Sequence, residues 1–462
     1  MRAVLLQRAR PLQKKQEPLP VSHVLRRSLT ASQPSIVGGE GAYLIDEHGK
    51  RYLDACGGAA VSSLGHDNAA VRKAICDQVN TLAFAHTGLF TNKWAEELSD
   101  YLVAHAPEGT GEGRVMYLGS GSEAMEAALK LARQYHVERG ETDRAHIIAR
   151  APSYHGNTLG ALAVSGHAGR RATFAPLLIE THHIDATYNY RLQHTDESEA
   201  AFGLRMANQL EAKILALGAE NVCAFVAEPV VGASLGTQPA PAGYFKRIRE
   251  ICDTYGVLYI ADEVMCGMGR TGSLFALEQE GICADITTMA KGLGAGYQPI
   301  AAVMANQKIC DAIVAGSGKL WNGHTYMSHA VATAGAMAVM HEIDGRNLLE
   351  AVRARGAQLE AALHERLGQH AHVGDIRGRG LFWTAEIVEN RATKAPFAVS
   401  RNIAGRVQAA AMQAGMICYP AQGCADGTAG DHILLAPCFT STAGEIDIIV
   451  ETLAAAIDTA TT

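Results

Sequence analysis

The sequence predicts an α/β protein with a large domain built on a mostly parallel sheet flanked by helices, and a smaller α+β domain drawn from both chain ends. Three observations predict it. Apolar runs of strand length at 146–149, 221–227 and 256–261 alternate with helical stretches such as Tyr244–Tyr255, as in sheets covered on both faces. The 462 residues exceed one simple core and suffice for a large domain plus a small one. From about Asp344 the rhythm changes to long helices framing short strands, and 36–66 likewise reads as short strands broken by glycines. The expected division is a basic arm over 1–34, small-domain segments over 35–70 and 344–462, and the large domain over 71–343.

Taken in order, 36–66 carries Gly38–Gly39, His48–Gly49 and Gly57–Gly58 between alternating segments, which predicts small antiparallel strands. Val71, Ile75 and Val79 at four-residue spacing predict a helix, and Leu98 and Leu102 another over 94–105. The run 115–118 is apolar; Gly119-Ser120-Gly121-Ser122 then opens a long stretch of strong helix formers. Unpaired N–H groups and the dipole at such a helix start make an anion seat. The plainer alternative is that Ser-Gly-Ser only caps the helix. Neither G-x-G-x-x-G nor a Walker-type G-x-x-x-x-G-K-[ST] fits.

The strand at 146–149 runs into Pro152-Ser153-Tyr154-His155-Gly156, placing an aromatic and a histidine where α/β proteins bind ligands, unless the aromatic merely packs. The strand at 221–227 ends in Glu228–Pro229, and that at 256–261 in Asp262–Glu263–Val264. Acids at two strand ends are candidates for one site. Asp262 reads either as a cap or structural ion pair, or as a carboxylate facing a ring nitrogen. At 285–289 an apolar run precedes Ala290, Lys291 and a glycine-rich loop. A buried lysine loses its charge more easily, and a neutral amine attacks carbonyls. The alternative is an ordinary lysine at a strand end.

A strand at 300–304 should continue the sheet. Beyond it, His324 and His329 are poorly spaced for one helical face and lack a third ligand, so no metal site is expected. The C-terminal part reads as a helix over Leu348–Leu367, strands within 373–388 and at 433–435, and helices over 403–414 and 443–456.

Composition narrows the function. Hydrophobic residues make up 48% and charged residues 19%, which fits a well-buried globule. A net charge of −7 argues against nucleic acid as a main partner. No apolar run is long enough to cross a bilayer. The 10 cysteines are scattered with no Cys-x-x-Cys pair, the usage of a reduced, cytoplasmic protein. The first 34 residues set Arg2, Arg8, Arg10, Lys14, Lys15, Arg26 and Arg27 against the single acid Glu17. That charge suits a transit peptide, but there is no serine enrichment; a disordered basic arm or a start codon placed too early is the competing expectation.

A lysine, a phosphate seat, an aromatic stacker and a carboxylate for a ring nitrogen are the parts pyridoxal phosphate requires. The block Leu258-Tyr259-Ile260-Ala261-Asp262-Glu263-Val264, the Gly-Met-Gly-Arg-Thr-Gly at 267–272 and Lys291–Gly292 resemble the class III aminotransferases, of fold type I among pyridoxal-phosphate enzymes. The likeness runs from about Ile36 to the C-terminus. It implies that Lys291 forms the Schiff base with pyridoxal 5'-phosphate and shuttles the substrate proton, and that Asp262 holds the pyridinium nitrogen. It also implies ring packing by Val264 and Tyr154, phosphate binding by Gly121 and Ser122, and cofactor contacts from His155 and Glu228. Thr325, in Gly-His-Thr-Tyr, would reach the phosphate of a neighbouring subunit, so the active sites would be shared in a homodimer.

Several positions depart from ornithine- and aminobutyrate-type members. Met265 stands where those carry a glutamine bonded to the ring hydroxyl, and Ala233 where they carry a glutamate that masks an arginine. Both resemble the pyruvate-linked ω-amine subgroup, as if pyruvate rather than 2-oxoglutarate accepts the amino group. Arg377, in Asp-Ile-Arg-Gly-Arg-Gly, matches the carboxylate-binding arginine of ornithine-type members, with a structural loop arginine as the alternative. The more C-terminal arginine of ω-amine members has no counterpart in 422–431. Ala59, Ala60 and Val61 replace a tryptophan common in that subgroup and would leave a roomier cavity. The expected activity is transfer of an amino group from a primary amine or amino acid to a 2-oxo acid. Rivals are a racemase or decarboxylase with the same cofactor, and a non-enzymatic binding protein.

Overall fold

The computed structural model describes residues 23–462. Of the basic arm, Arg26 and Arg27 are exposed; the expectations for Arg2, Arg8, Arg10, Lys14, Lys15 and Glu17 lie outside the described residues. The centre is a seven-stranded sheet in the order Arg114–Leu118, Ala301–Ala305, Ile286–Met289, Leu258–Asp262, Val222–Ala227, His146–Ala151, His182–Asp185. Six strands run one way. Ala301–Ala305 runs against both neighbours, pairing Ala302 with Met289 and Ala301 with Leu118. The protein is therefore α/β with a mostly parallel sheet.

Side-chain alternation explains why these strands read as unbroken apolar runs. Ala224, Val226, Leu258 and Ile260 pack under the helix Gly121–Glu138. Their sequence neighbours Phe225, Ala227, Tyr259 and Ala261 pack on the opposite face, under the helices Glu199–Leu217 and Tyr244–Tyr255. Successive residues point to opposite faces and both faces are covered, so no polar position remains. Burial of each large side chain there contributes about 1.5–3 kcal/mol.

Local chemistry sets the boundaries. Ser120 caps Gly121–Glu138 by accepting from the Glu123 N–H at 3.3 Å, and the Glu123 carboxylate accepts from Gly119 N–H at 2.8 Å. Tyr244–Tyr255 ends at Gly256, whose φ of +65° is left-handed, so the next strand starts at Leu258 rather than 256. The strand expected at 221 starts at Val222, because Ala219–Asn221 forms a 3-10 turn.

Two further sheets involve the chain ends. Ile36–Glu40, Tyr43–Asp46 and Arg51–Asp54 form an antiparallel meander that Met416–Ile417 joins in parallel, Met416 opposite Leu53. Val373–Arg379, Phe382–Ile387, Asp431–Leu435 and Tyr419–Gln422 make an antiparallel sheet. The helices Leu348–Leu367, Ile403–Gln413 and Ala443–Thr461 accompany them. Among the described residues no helix is long and apolar enough to cross a membrane.

Candidate active site

Parallel strands bring their C-terminal ends to one edge of the sheet, where ligands of open α/β folds bind. Asp262 ends its strand there, 3% exposed. Its Oδ1 accepts from the Val264 N–H at 3.0 Å and the Thr288 hydroxyl at 3.4 Å, and its Oδ2 lies 2.7 Å from His155 Nδ1. Burial pulls the His155 pKa down, but the charges of Glu228 and Asp262 outweigh it and the net shift is upward. Glu228 Oε1 accepts from the Tyr154 N–H at 3.1 Å, and its Oε2 lies 3.4 Å from Arg150 Nη2. Arg150 is fully buried and also donates to the Glu228 carbonyl. With His155 protonated, Arg150, Glu228, His155 and Asp262 alternate in charge and sum to zero. Three buried donors of these four residues lack a hydrogen-bond partner: Arg150 Nε and Nη1, whose guanidinium lies over the rings of Tyr244 and Phe245, and His155 Nε2, which alone belongs to a cavity-lining residue and has Glu228 Oε2 3.9 Å away.

Lys291 follows Ile286–Met289 and opens a 3-10 turn in a left-handed conformation, φ +43°. A non-glycine residue there carries a strain of order 1 kcal/mol. Its carbonyl accepts from the N–H groups of Gly294 and Ala295 at 3.1 and 2.9 Å, which holds the turn. Burial lowers the amine's pKa to about 8, against the opposing pull of Asp262. Among the described residues none accepts a hydrogen bond from its Nζ. A fraction of this amine is therefore neutral and free to react near pH 7.

A cavity of about 300 Å³ is lined by Gly121, Ser122, Tyr154, His155, Glu228, Asp262, Val264 and Lys291, residues expected from five separate stretches of sequence. It also fits a phosphorylated group. Neither the Gly121 nor the Ser122 N–H meets an acceptor among the described residues, so the helix start offers two donors to an anion. A Cβ on Gly121 would come within 2.9 Å of Val264 Cγ1, so glycine keeps that approach open. The capping role of Ser120 and the anion seat therefore coexist. Ser122 has a further role, its Oγ accepting from the Asn157 N–H at 2.9 Å.

Met265, Ala233 and Val61 line the cavity. A Cβ on Gly232 would meet Met265 Sδ at 2.5 Å, so the thioether fills the space beside it. Ala59 and Ala60 do not line it. Thr325 lies away from the cavity on an exposed turn.

Arg377 corrects the sequence reading. It does not reach the cavity. Its Nε donates to Gly236 O at 2.7 Å, its Nη1 to Asp375 and Glu386 at 2.7 and 2.8 Å, and its Nη2 to Leu235 O. A buried guanidinium so engaged holds the scaffold and leaves little for a substrate carboxylate. Sequence reasoning also missed Arg150, whose only signal was a charge inside an apolar strand. It missed Gln298, Pro299 and Ile300, which line the cavity because the antiparallel strand returns there.

The family described as aminotransferase class-III matches residues 28–457. An aminotransferase of Gibberella zeae is 42% identical over 430 residues, covering 92% of this chain and 83% of the relative. The uncharacterized aminotransferase YodT of Bacillus subtilis is 36% identical, covering 94% and 98%. Among solved structures, a thermostable (S)-enantioselective omega-transaminase from Thermomicrobium roseum superposes with a TM-score of 0.88 at 31% identity, covering 95% of this chain and 96% of that one. The omega transaminase from Pseudomonas jessenii in complex with PMP gives 0.85 at 34% identity, covering 93% of each. Family match, relatives and geometry agree, and the chain belongs to the class III aminotransferases.

Proposed function

We propose that the protein moves an amino group from a primary amine or amino acid to a 2-oxo acid, pyruvate in preference to 2-oxoglutarate, with pyridoxal 5'-phosphate held through Lys291. The observation that carries this is the meeting of Lys291, its amine at about 8, with Asp262 and the free Gly121 and Ser122 N–H groups around one cavity. When bound, the cofactor supplies an electron sink for the pair left by loss of the substrate proton.

The chain's residues do the rest. The neutral Nζ of Lys291 would hold the cofactor covalently and, when released from it, would carry the substrate's α-proton away and back. An amine with its pKa near the working pH suits both directions. Asp262, fixed by the Val264 N–H and His155, would hold the cofactor's ring nitrogen and favour its protonated form. Tyr154 and Val264, which line the cavity, would pack against its ring. Glu228 fixes the Tyr154 backbone and lies beside His155. The preference for pyruvate rests on Met265 and Ala233, which line the cavity where 2-oxoglutarate-type relatives carry polar side chains.

A homodimer completes the reading. Leu89, Phe90, Trp321 and Tyr326 are 78, 64, 74 and 68% exposed, and Phe84 stacks edge-on against Tyr326 at 5.7 Å. Apolar area of this kind beside Thr325 suits an isologous interface.

The test is a panel of amine donors with pyruvate or 2-oxoglutarate and the purified chain loaded with pyridoxal phosphate. Alanine should form from pyruvate faster than glutamate from 2-oxoglutarate. A protein that takes up no cofactor, with no imine absorbance, or that forms neither product, rules the proposal out.

A further inference from the structure

The Arg377 result leaves the cavity without the cation that an acid substrate would meet. The described arginines deepest in the fold are committed elsewhere: Arg150 to Glu228, Arg377 to Asp375 and Glu386, and Arg270 to the carbonyls of Leu381 and Pro437. Arg170 differs. It is exposed, its guanidinium carbon lies 4.4 Å over the ring of Tyr154, and no carboxylate among the described residues pairs with it. Tyr154 itself lines the cavity.

The segment that carries Arg170 is held tightly to the site. The His155 N–H donates to Ser165 Oγ at 2.8 Å, and the Gly166 N–H to Ser153 Oγ at 3.0 Å. A Cβ on Gly166 would lie 2.4 Å from the Arg150 carbonyl, so only glycine lets the chain turn back there. Ala168–Arg171 therefore starts from a fixed point at the end of His146–Ala151, two strands along the sheet from Asp262. Its other side meets the 422–431 loop, where a Cβ on Gly427 would lie 3.3 Å from Ala168 Cβ. That loop contains no arginine.

The surroundings favour an anion. Burial, and then the Arg170 charge, lowers the pKa of His167; burial and then Arg171 lowers that of His183 to about 4. Both imidazoles thus stay neutral and add no cation; the charges of this segment are Arg170 and Arg171, and the carboxylate of the facing loop, Asp426, is taken up by the Thr428 and Ala429 N–H groups.

We infer that Arg170, braced on the ring of Tyr154, binds the carboxylate of the amino-acid or 2-oxo-acid substrate and so sets the preference for acids over simple amines and aldehydes. The inference rests on the aminotransferase reading above. A guanidinium presents two parallel N–H donors to a carboxylate. The aromatic face orients it without consuming those donors. The anion seat at Gly121 and Ser122 is separate, so phosphate and carboxylate do not compete.

The test uses the loaded enzyme, with pyruvate and acetaldehyde as acceptors, the second being pyruvate with its carboxylate replaced by hydrogen. In Arg170→Gln the ratio of the two kcat/KM values should fall by about 10- to 100-fold, the worth of a charge-assisted pair, mainly through KM for pyruvate. Arg170→Lys should recover part of it. Propionate, which has no carbonyl to react, should bind the wild type and lose affinity in Arg170→Gln to a similar degree. Because the readout is a ratio within one preparation, a partly folded variant does not distort it. An unchanged ratio with unchanged propionate binding overturns the inference and leaves the aminotransferase reading intact. A wild type that aminates neither acceptor refutes that reading instead.

Discussion

Two buried charge networks in this protein use the same residue types to opposite ends. At the cavity, Arg150, Glu228, His155 and Asp262 form a chain, two positive groups and two negative. Away from it, Arg191, Glu386, Arg377 and Asp375 form another, with Arg191 Nη2 2.6 Å from Glu386 Oε1 and Tyr188 donating to the same carboxylate. In both, the charges cancel. The second network is closed by carboxylates and backbone carbonyls and accounts for its donors almost completely. The first leaves Arg150 Nε and Nη1 and His155 Nε2 unpartnered, the last on a residue that lines the cavity, and has an unbonded lysine across that cavity. Closure marks a scaffold, and an unfilled valence facing a cavity marks a site.

The sharpest way to break this comparison is Lys291→Ala. Removing both the attaching amine and the proton carrier should lower turnover by about 10⁴-fold or more while the unfolding transition stays in place, as steady-state rates and a thermal melt would show. The closed network should behave in reverse. Arg377→Ala leaves Glu386 buried with one partner fewer and should cost about 3–5 kcal/mol of stability in urea titrations. The folded fraction should keep its kcat within a few-fold.

A smaller effect is expected for His155→Gln, which loosens the carboxylate facing the ring. Turnover should drop about 10- to 100-fold, as when groups that orient a ligand are removed, and its pH profile should move while cofactor remains bound. Loss of cofactor instead would put His155 on the scaffold side. The smallest effect concerns the lysine's own titration. Its pKa is lowered to about 8, so the reactive neutral form grows as pH rises toward 8 and saturates above it. The rate at which pyridoxal phosphate attaches to the cofactor-free chain should rise several-fold from pH 7 to 8 and level off beyond. A rise continuing to pH 10 would indicate an exposed, ordinary amine.

Much of this was legible in the sequence, for a physical reason. The sheet strands are covered on both faces, so they announce themselves as apolar runs, and the polar residues that end them, Asp262, Glu228 and Lys291, stand out by contrast. The Gly-Ser turn before Gly121–Glu138 was readable because a helix start needs small residues and a cap. What stayed hidden depends on pairing across sequence distance. Glu386 faces Arg377 only because Val373–Arg379 and Phe382–Ile387 pair as a hairpin, with Arg377 opposite Thr384; along the chain Arg377 looks like a loop cation. Arg150 meets Glu228 through parallel strands, and Arg170 reaches Tyr154 through a fold-back at Gly166. The helix Glu199–Leu217 and the edge strand His182–Asp185 passed unnoticed because they are short of apolar contrast.

The reversed direction of Ala301–Ala305 has a mechanical consequence. Residues 290–300 leave the sheet at Met289 and re-enter it at Ala301, and both points lie at the same rim. The segment bearing Lys291 is thus clamped at two ends by ladders of the same sheet, like a strap buckled on both sides. Any travel the amine makes between partners must come from its four methylenes, because the peptide beneath has nowhere to go.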